Sequence, residues 1–151
     1  MVRSTDYHYT ACGLDNVILK DLPVVQDDGG EKVITIPKIN LLHHLLVNEV
    51  AAKHGRLNAK EIRFLRAELG MSQGQLAELV GRDAQSVGRW ERGESEPEQA
   101  LEMIIRMKAL EYVNGDTPSV DQVAEWTKDS TVQPAILIDA HDPNNYRPIA
   151  A

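Results

Sequence analysis

Three observations predict a mainly α chain with small β elements at its N- and C-terminal ends. Residues 71–93 read as two short helices joined by a tight turn, each with its own start signal. Apolar residues at helical spacing recur before and after that stretch, and β-rich runs occur only towards the termini.

Taken in order, residues 1–38 read as short strands and turns. Asn16-Val17-Ile18-Leu19 and Val33-Ile34-Thr35-Ile36 are β-rich, Asp27-Asp28-Gly29-Gly30 between them is a turn signal, and Pro37 stops the second run. From Asn40 a helix fits, with Leu42, Leu45, Leu46 and Val50 on one face and Gly55 ending it. Asn58 with Glu61 caps the next helix, whose buried stripe is Ile62, Leu65 and Leu69 and whose stop is Gly70.

In the central stretch Ser72 is a good N-cap and Gln75 completes a capping box. Leu76, Ala77, Leu79 and Val80 give this helix an apolar face, and Gly81 ends it because a sharp turn needs left-handed backbone. Asp83 caps the following helix. There Val87 and Trp90 fall three apart and point inward, leaving Gln85, Ser86, Arg89 and Arg92 pointing out. A short helix presenting Gln, Ser and Arg from its first turns suits hydrogen bonding to base edges in a DNA major groove.

After Gly93, Ser95-Glu96-Pro97-Glu98 reads as a capping box opening a long helix to about Val113. Its apolar residues form two groups, Leu101/Ile104/Ile105 and Met103/Met107/Leu110. One group covers the preceding helices; the other is left for a second subunit, or is covered by a fifth helix or the N-terminal region. Thr117-Pro118 begins a short helix holding Val120, Val123, Ala124 and Trp126. Ala135–Ile138 and Tyr146–Ile149 then form a hairpin around Asp142-Pro143-Asn144-Asn145, with Pro134 and Pro148 confining it to an edge. A lone hairpin is marginal, so it should pair with the N-terminal strands or with another subunit. The chain thus divides into 1–55, a β-turn region plus helix; 56–114, the two-helix motif with its flanking helices; and 115–151, a helix and hairpin extension.

Composition bounds the chemistry. At 151 residues the chain holds one ordinary domain or two small ones. A single Cys12 excludes an internal disulfide and a multi-cysteine zinc site, so a reducing cytoplasm is the expected compartment. No apolar run approaches the roughly 20 residues of a membrane span, and no signal peptide opens the chain. His43 and His44 are adjacent in a helix and diverge, while His8, His54 and His141 lack ligand-spaced neighbours. No carboxylates stand apart as an acid/base pair and Cys12 has no local base. Neither catalysis, a cofactor nor a metal is expected.

The net charge of -7 opposes phosphate binding, but its distribution does not. Residues 56–93 hold seven Lys/Arg and five Asp/Glu, net +2, whereas residues 94–151 are net -7. Screening over about 8–10 Å lets a local basic face act despite an acidic remainder. The acidic residues after Glu94 read as a solvated surface.

Ser72-Gln73, Leu76-Ala77, Gly81 and the run Ser86-Val87-Gly88-Arg89-Trp90-Glu91-Arg92-Gly93 resemble the Cro/repressor (XRE) helix-turn-helix family over roughly Asn58 to Tyr112. The resemblance implies a five-helix, lambda-repressor-like DNA-binding domain. It implies that Gln73 caps its helix against phosphate, that Ala84, Gln85 and Arg89 face bases, and that Arg66 pairs with Glu91. Two residues depart from the family pattern: Glu94 stands where Lys is frequent, and Gly88 interrupts the recognition helix at a cost of roughly 1 kcal/mol relative to Ala.

On these grounds the residues receive roles. Gln85 would contact adenine, Arg89 guanine or phosphate, and Ala84 a thymine methyl. Gln73 suits phosphate because helix N-termini attract anions. Arg82 and Arg92 flank the recognition helix as phosphate contacts, and Ser86 is a base or phosphate contact or merely the third residue of its helix. The function expected is a sequence-specific regulator, a repressor acting as a homodimer on double-stranded DNA. The alternative is an antitoxin that binds a toxin protein and regulates its own operon. Tyr7-His8-Tyr9-Thr10-Ala11-Cys12-Gly13-Leu14-Asp15-Asn16-Val17 ahead of a helix-turn-helix is similar to MqsA-type antitoxins, although their zinc ribbon uses paired cysteines that this chain lacks.

Overall fold

The computed structural model describes residues 3–26, 29–30, 32–128 and 135–149. Asp27 and Asp28 of the expected first turn, and Pro134, lie outside them. In chain order the elements are β1 (Arg3–His8), β2 (Val17–Gln26), β3 (Lys32–Ile34), α1 (Ile39–Ala51), α2 (Ala59–Glu68), α3 (Gln73–Val80), α4 (Ala84–Glu91), α5 (Gln99–Asn114), α6 (Val120–Thr127), β4 (Ile136–Asp139) and β5 (Arg147–Ile149). They fall into two compact units, residues 1–45 with 133–151, and residues 46–132. These divisions differ in place from the 55/56 and 114/115 boundaries drawn on sequence.

The first unit is a five-stranded sheet in the order β1-β2-β4-β5, with β3 also paired to β2. The terminal hairpin joins the N-terminal strands: β4 runs parallel to β2, with Val17 opposite Ile136 and Lys20 opposite Asp139, and β5 lies antiparallel on β4. Pro148 sits in β5, an edge strand, where a missing N–H costs no ladder bond.

Strand β2 is longer than the β-rich run Asn16–Leu19, because a bulge carries it past a polar interruption. Among residues 17–24 the buried ones are Val17 and Leu19, then Leu22 and Val24, so the alternation slips by one at Lys20-Asp21. At that place the register against β1 shifts, and Asp21 adopts a φ of 56°, which Asp tolerates better than most residues. Asp6 on β1 holds the bulge: its carboxylate accepts from the Asp21 N–H at 3.3 Å and from Lys20 Nζ at 2.6 Å. Strand β1 itself had no distinct signal, since Arg3–His8 carries few apolar residues.

The second unit holds the last part of α1 and five complete helices, α2 to α6. Local side-chain caps start four of these, α6 among them. Asn58 and Glu61 form a reciprocal capping box on α2, Ser72 and Gln75 do the same on α3, and Asp83 caps α4. Ile62, Leu65, Leu76, Ala77, Val87 and Trp90 are buried, and so are Phe64 and Leu57. Leu79 departs from the expected apolar face of α3 and lies 40% exposed.

Helix α5 starts later than the Ser95 capping box implied. It begins at Gln99 with Glu98 as N-cap and no side-chain capping bond. A start at Ser95 would put Glu96 in helical backbone directly before Pro97, where the proline ring disfavours it. Its buried stripe is also neither apolar group read from sequence. Glu102, Ile105, Arg106, Ala109 and Leu110 form it, while Ile104 is 38% exposed.

Glu102 and Arg106 are both fully buried and lie 3.1 Å apart, one helical turn from each other. Glu102 Oε1 accepts from Arg56 Nε at 2.9 Å and from the Leu57 N–H at 3.1 Å. Arg106 donates to the carbonyls of Lys53 and Gly55. The expected solvated acidic surface after Glu94 therefore has an exception in Glu102, an anion used to bind the segment before α2. Helix α6 begins at Val120 under a Ser119 cap, later than Thr117-Pro118, and Thr127 Oγ1 accepts from Gln99 on α5 at 2.8 Å.

Candidate nucleic-acid interface

The helix pair α3–α4 is built from short-range signals. Ser72 Oγ accepts from the Gln75 N–H at 3.1 Å, and Gln75 Oε1 accepts in return from the Ser72 N–H at 2.8 Å. Gly81 closes α3 with a φ of 74°, and the Arg82 N–H reaches back to the Ala77 carbonyl at 2.8 Å. Asp83 Oδ1 accepts from the Ser86 N–H at 2.8 Å, and this bond, with the Ser86 hydroxyl and nearby Arg89 and Arg82, holds its carboxyl below the usual range.

Helix α4 then divides by burial. Val87 is fully buried and Trp90 nearly so, which fixes the inner face. Ala84, Gln85, Arg89 and Arg92 are exposed on the other side. Together with Gln73 and Gly88 they line an open concavity of ≈ 430 Å³. Of the seven residues expected to touch DNA, five therefore meet on one surface. Two do not: Arg82 lies outside the lining, and Ser86 is not among the outward side chains.

Ser86 was expected to point out with Gln85, but only 9% of it is exposed. Its N–H is taken by the Asp83 cap and its hydroxyl accepts from Arg89 Nη2 at 3.3 Å. As third residue of the helix it is drawn against its own cap, beneath Arg89.

Behind the surface, Arg66 and Glu91 make a bidentate pair, Nε to Oε2 at 2.6 Å and Nη2 to Oε1 at 2.9 Å. Arg66 Nη1 also donates to the Met71 carbonyl at 2.9 Å, bracing the turn before α3. The hydrogen bond to Glu91 pushes the Arg66 guanidinium further above its usual range. Gln73 Nε2 donates to the same carboxylate at 3.3 Å. One buried anion thus links α2, the first residue of α3 and the end of α4.

Gly88, a helix-weakening residue by sequence, has a local reason. A Cβ built there would stand 3.0 Å from Arg92 Nη1 and 3.6 Å from Gln73 Oε1. The bare backbone is the floor across which Arg92 folds. Arg92 continues to Glu94, with Nε 3.0 Å and Nη2 2.8 Å from Oε2. Arg82 pairs with Glu98. Sequence reading missed both carboxylates as partners, since Glu98 reaches Arg82 only through the tertiary fold.

Among the described residues no group of three or more His, Cys, Asp or Glu is placed to hold a metal ion, and no helix is long and apolar enough to cross a membrane. Residues 62–101 match the family model described as Helix-turn-helix. Searches of curated proteins and of solved structures returned no match. The match runs from within α2 to the start of α5 and includes every residue of the concavity. Over residues 62–101 the chain is similar to helix-turn-helix modules of the Cro/repressor (XRE) type, a type found in DNA-binding regulators.

Proposed function

We propose that the protein is a sequence-specific transcriptional regulator, a repressor that binds its operator as a dimer and reads bases with α4. One observation carries the reading: Gln85 and Arg89 stand exposed on a helix whose opposite face is locked down by Val87 and Trp90. Rigid backing matters because a side chain discriminates bases only when its donors are held in place.

In this reading Gln85 makes a bidentate contact to adenine and Arg89 one to guanine, each worth about 1–3 kcal/mol of discrimination. Ala84 meets a thymine methyl. Gln73 at the start of α3, with Arg82 and Arg92, positions the module on phosphates without reading sequence. Ser86 supports Arg89 from below, and the Arg66–Glu91 pair sets the angle between helices. A basic segment of net +2 gives modest affinity per protomer, so two modules on a palindrome supply the rest.

Selection of bound duplexes from a random pool tests this. The expected product is a pair of inverted half-sites whose centres lie about 34–36 Å apart or a multiple of that. A pool that shows no enrichment after repeated rounds would remove sequence-specific reading from the account.

A further inference from the structure

Two of the three exposed arginines around the recognition helix are already engaged by carboxylates of the same chain. Arg92 holds Glu94 through two nitrogens, and Arg82 holds Glu98. Both pairs are solvent-exposed, so nothing buries them against exchange. Arg89 differs: its guanidinium donates to the neutral Ser86 hydroxyl and carries no carboxylate partner in the ion pairs of α4. The residue placed to read a base has Asp83 nearby but no carboxylate bonded to it among the described residues, while the two residues placed on phosphates each hold one.

We propose that Glu94 and Glu98 are internal phosphate surrogates, occupying Arg92 and Arg82 in the free protein and yielding them when DNA docks. This rests on the DNA-binding reading and deepens it. A phosphate oxygen and a carboxylate oxygen compete for the same guanidinium N–H groups, so every duplex, whatever its sequence, must displace a carboxylate before Arg92 or Arg82 contributes. The displaced Glu then lies beside the backbone and draws cations back, offsetting counterions that the phosphate contact releases. The consequence is uniform. Affinity for operator and for random duplex is held down by the same factor, while the contacts of Gln85 and Arg89 to bases, and with them the ratio of specific to non-specific binding, are untouched.

Gly88 takes part by leaving room. With no Cβ in the way, Arg92 lies back across the helix towards Glu94.

The test is a double-mutant cycle on the full chain, reading fluorescence anisotropy of a labelled random-sequence duplex at low salt. Glu94→Gln should tighten this binding by up to about fivefold, the most that one exposed ion pair can withhold. The slope of log affinity against log salt should steepen by up to about one. In an Arg92→Ala background Glu94→Gln should do little more than Glu125→Gln, which removes the same charge from α6. The Glu98→Gln and Arg82→Ala pair should behave alike.

A gain from Glu94→Gln that equals that of Glu125→Gln, or that survives in Arg92→Ala, overturns the proposal, because the carboxylate would then act only through net charge. Wild-type protein that binds no duplex, random or selected, overturns the DNA-binding reading itself and the inference with it.

Discussion

Arg89→Ala is expected to erase most of the protein's preference for its selected operator over random duplex, with no change in the unfolding midpoint. The side chain is exposed on α4, one turn beyond Gln85, and both line the same concavity. A bidentate arginine–guanine contact is worth about 1–3 kcal/mol of discrimination, roughly five- to more than a hundredfold. In a dimer the change falls on both half-sites, so the loss approaches the square of that factor. Stability should hold, because exposed positions away from caps and networks shift it by about 0.5 kcal/mol or less. The Ser86 hydroxyl loses a 3.3 Å partner but keeps its Asp83 cap. Anisotropy titrations of operator and random duplex, with a urea melt of the same sample, give both numbers. An unchanged ratio of the two affinities would place base reading elsewhere.

Glu102→Ala is expected to destabilise the helical unit as much as loss of a large core side chain, by about 3–5 kcal/mol. The carboxylate is fully buried and holds Arg56, the Leu57 N–H and Arg106 together. Its removal strands the fully buried Arg106. Burial already draws that guanidinium below its usual range, and Glu102 is the first of the groups opposing that effect. Against the roughly 5–15 kcal/mol that holds a typical domain, such a loss is a large fraction. Glu102→Gln, which keeps one acceptor for the Leu57 N–H, should cost less. Urea denaturation followed by circular dichroism measures the difference, and a loss below about 1 kcal/mol for the alanine variant would show that Arg106 finds other compensation. The Arg66–Glu91 pair follows the same logic with a smaller penalty, since Arg66 keeps 17% of its side-chain surface in water.

What the sequence disclosed tracks how local each cause is. Helices α2, α3 and α4 begin where Asn58, Ser72 and Asp83 stand, because each cap is closed by a residue three positions away. The exposure of Gln85 and Arg89 followed from Val87 and Trp90 taking the inner face. Non-local causes were hidden. The parallel pairing of β2 with β4 joins opposite ends of the chain, and on sequence the hairpin fitted another subunit equally well. The continuation of β2 depends on Asp6 capping a bulge from a neighbouring strand.

Glu102 and Arg106 sit where the buried stripe of α5 runs, but as charged residues they broke the apolar pattern that identifies such a stripe. In the candidate interface Ser86 was misplaced for a different reason. Helical spacing points it outward, whereas the cap behind it and Arg89 above it cover its surface. Gly88 read as a defect until the path of Arg92 supplied its use.

If α4 enters the groove of a duplex, backbone and side-chain NMR of the labelled full chain, titrated with its selected operator, will register it residue by residue. The largest shifts are expected at Gln73, Ala84, Gln85, Arg89 and Arg92, with the Gln85 and Arg89 side-chain N–H signals moving only for duplexes that carry the right bases. Shifts confined to the β-sheet unit, with those N–H signals unmoved at saturating operator, would rule out groove entry by this helix.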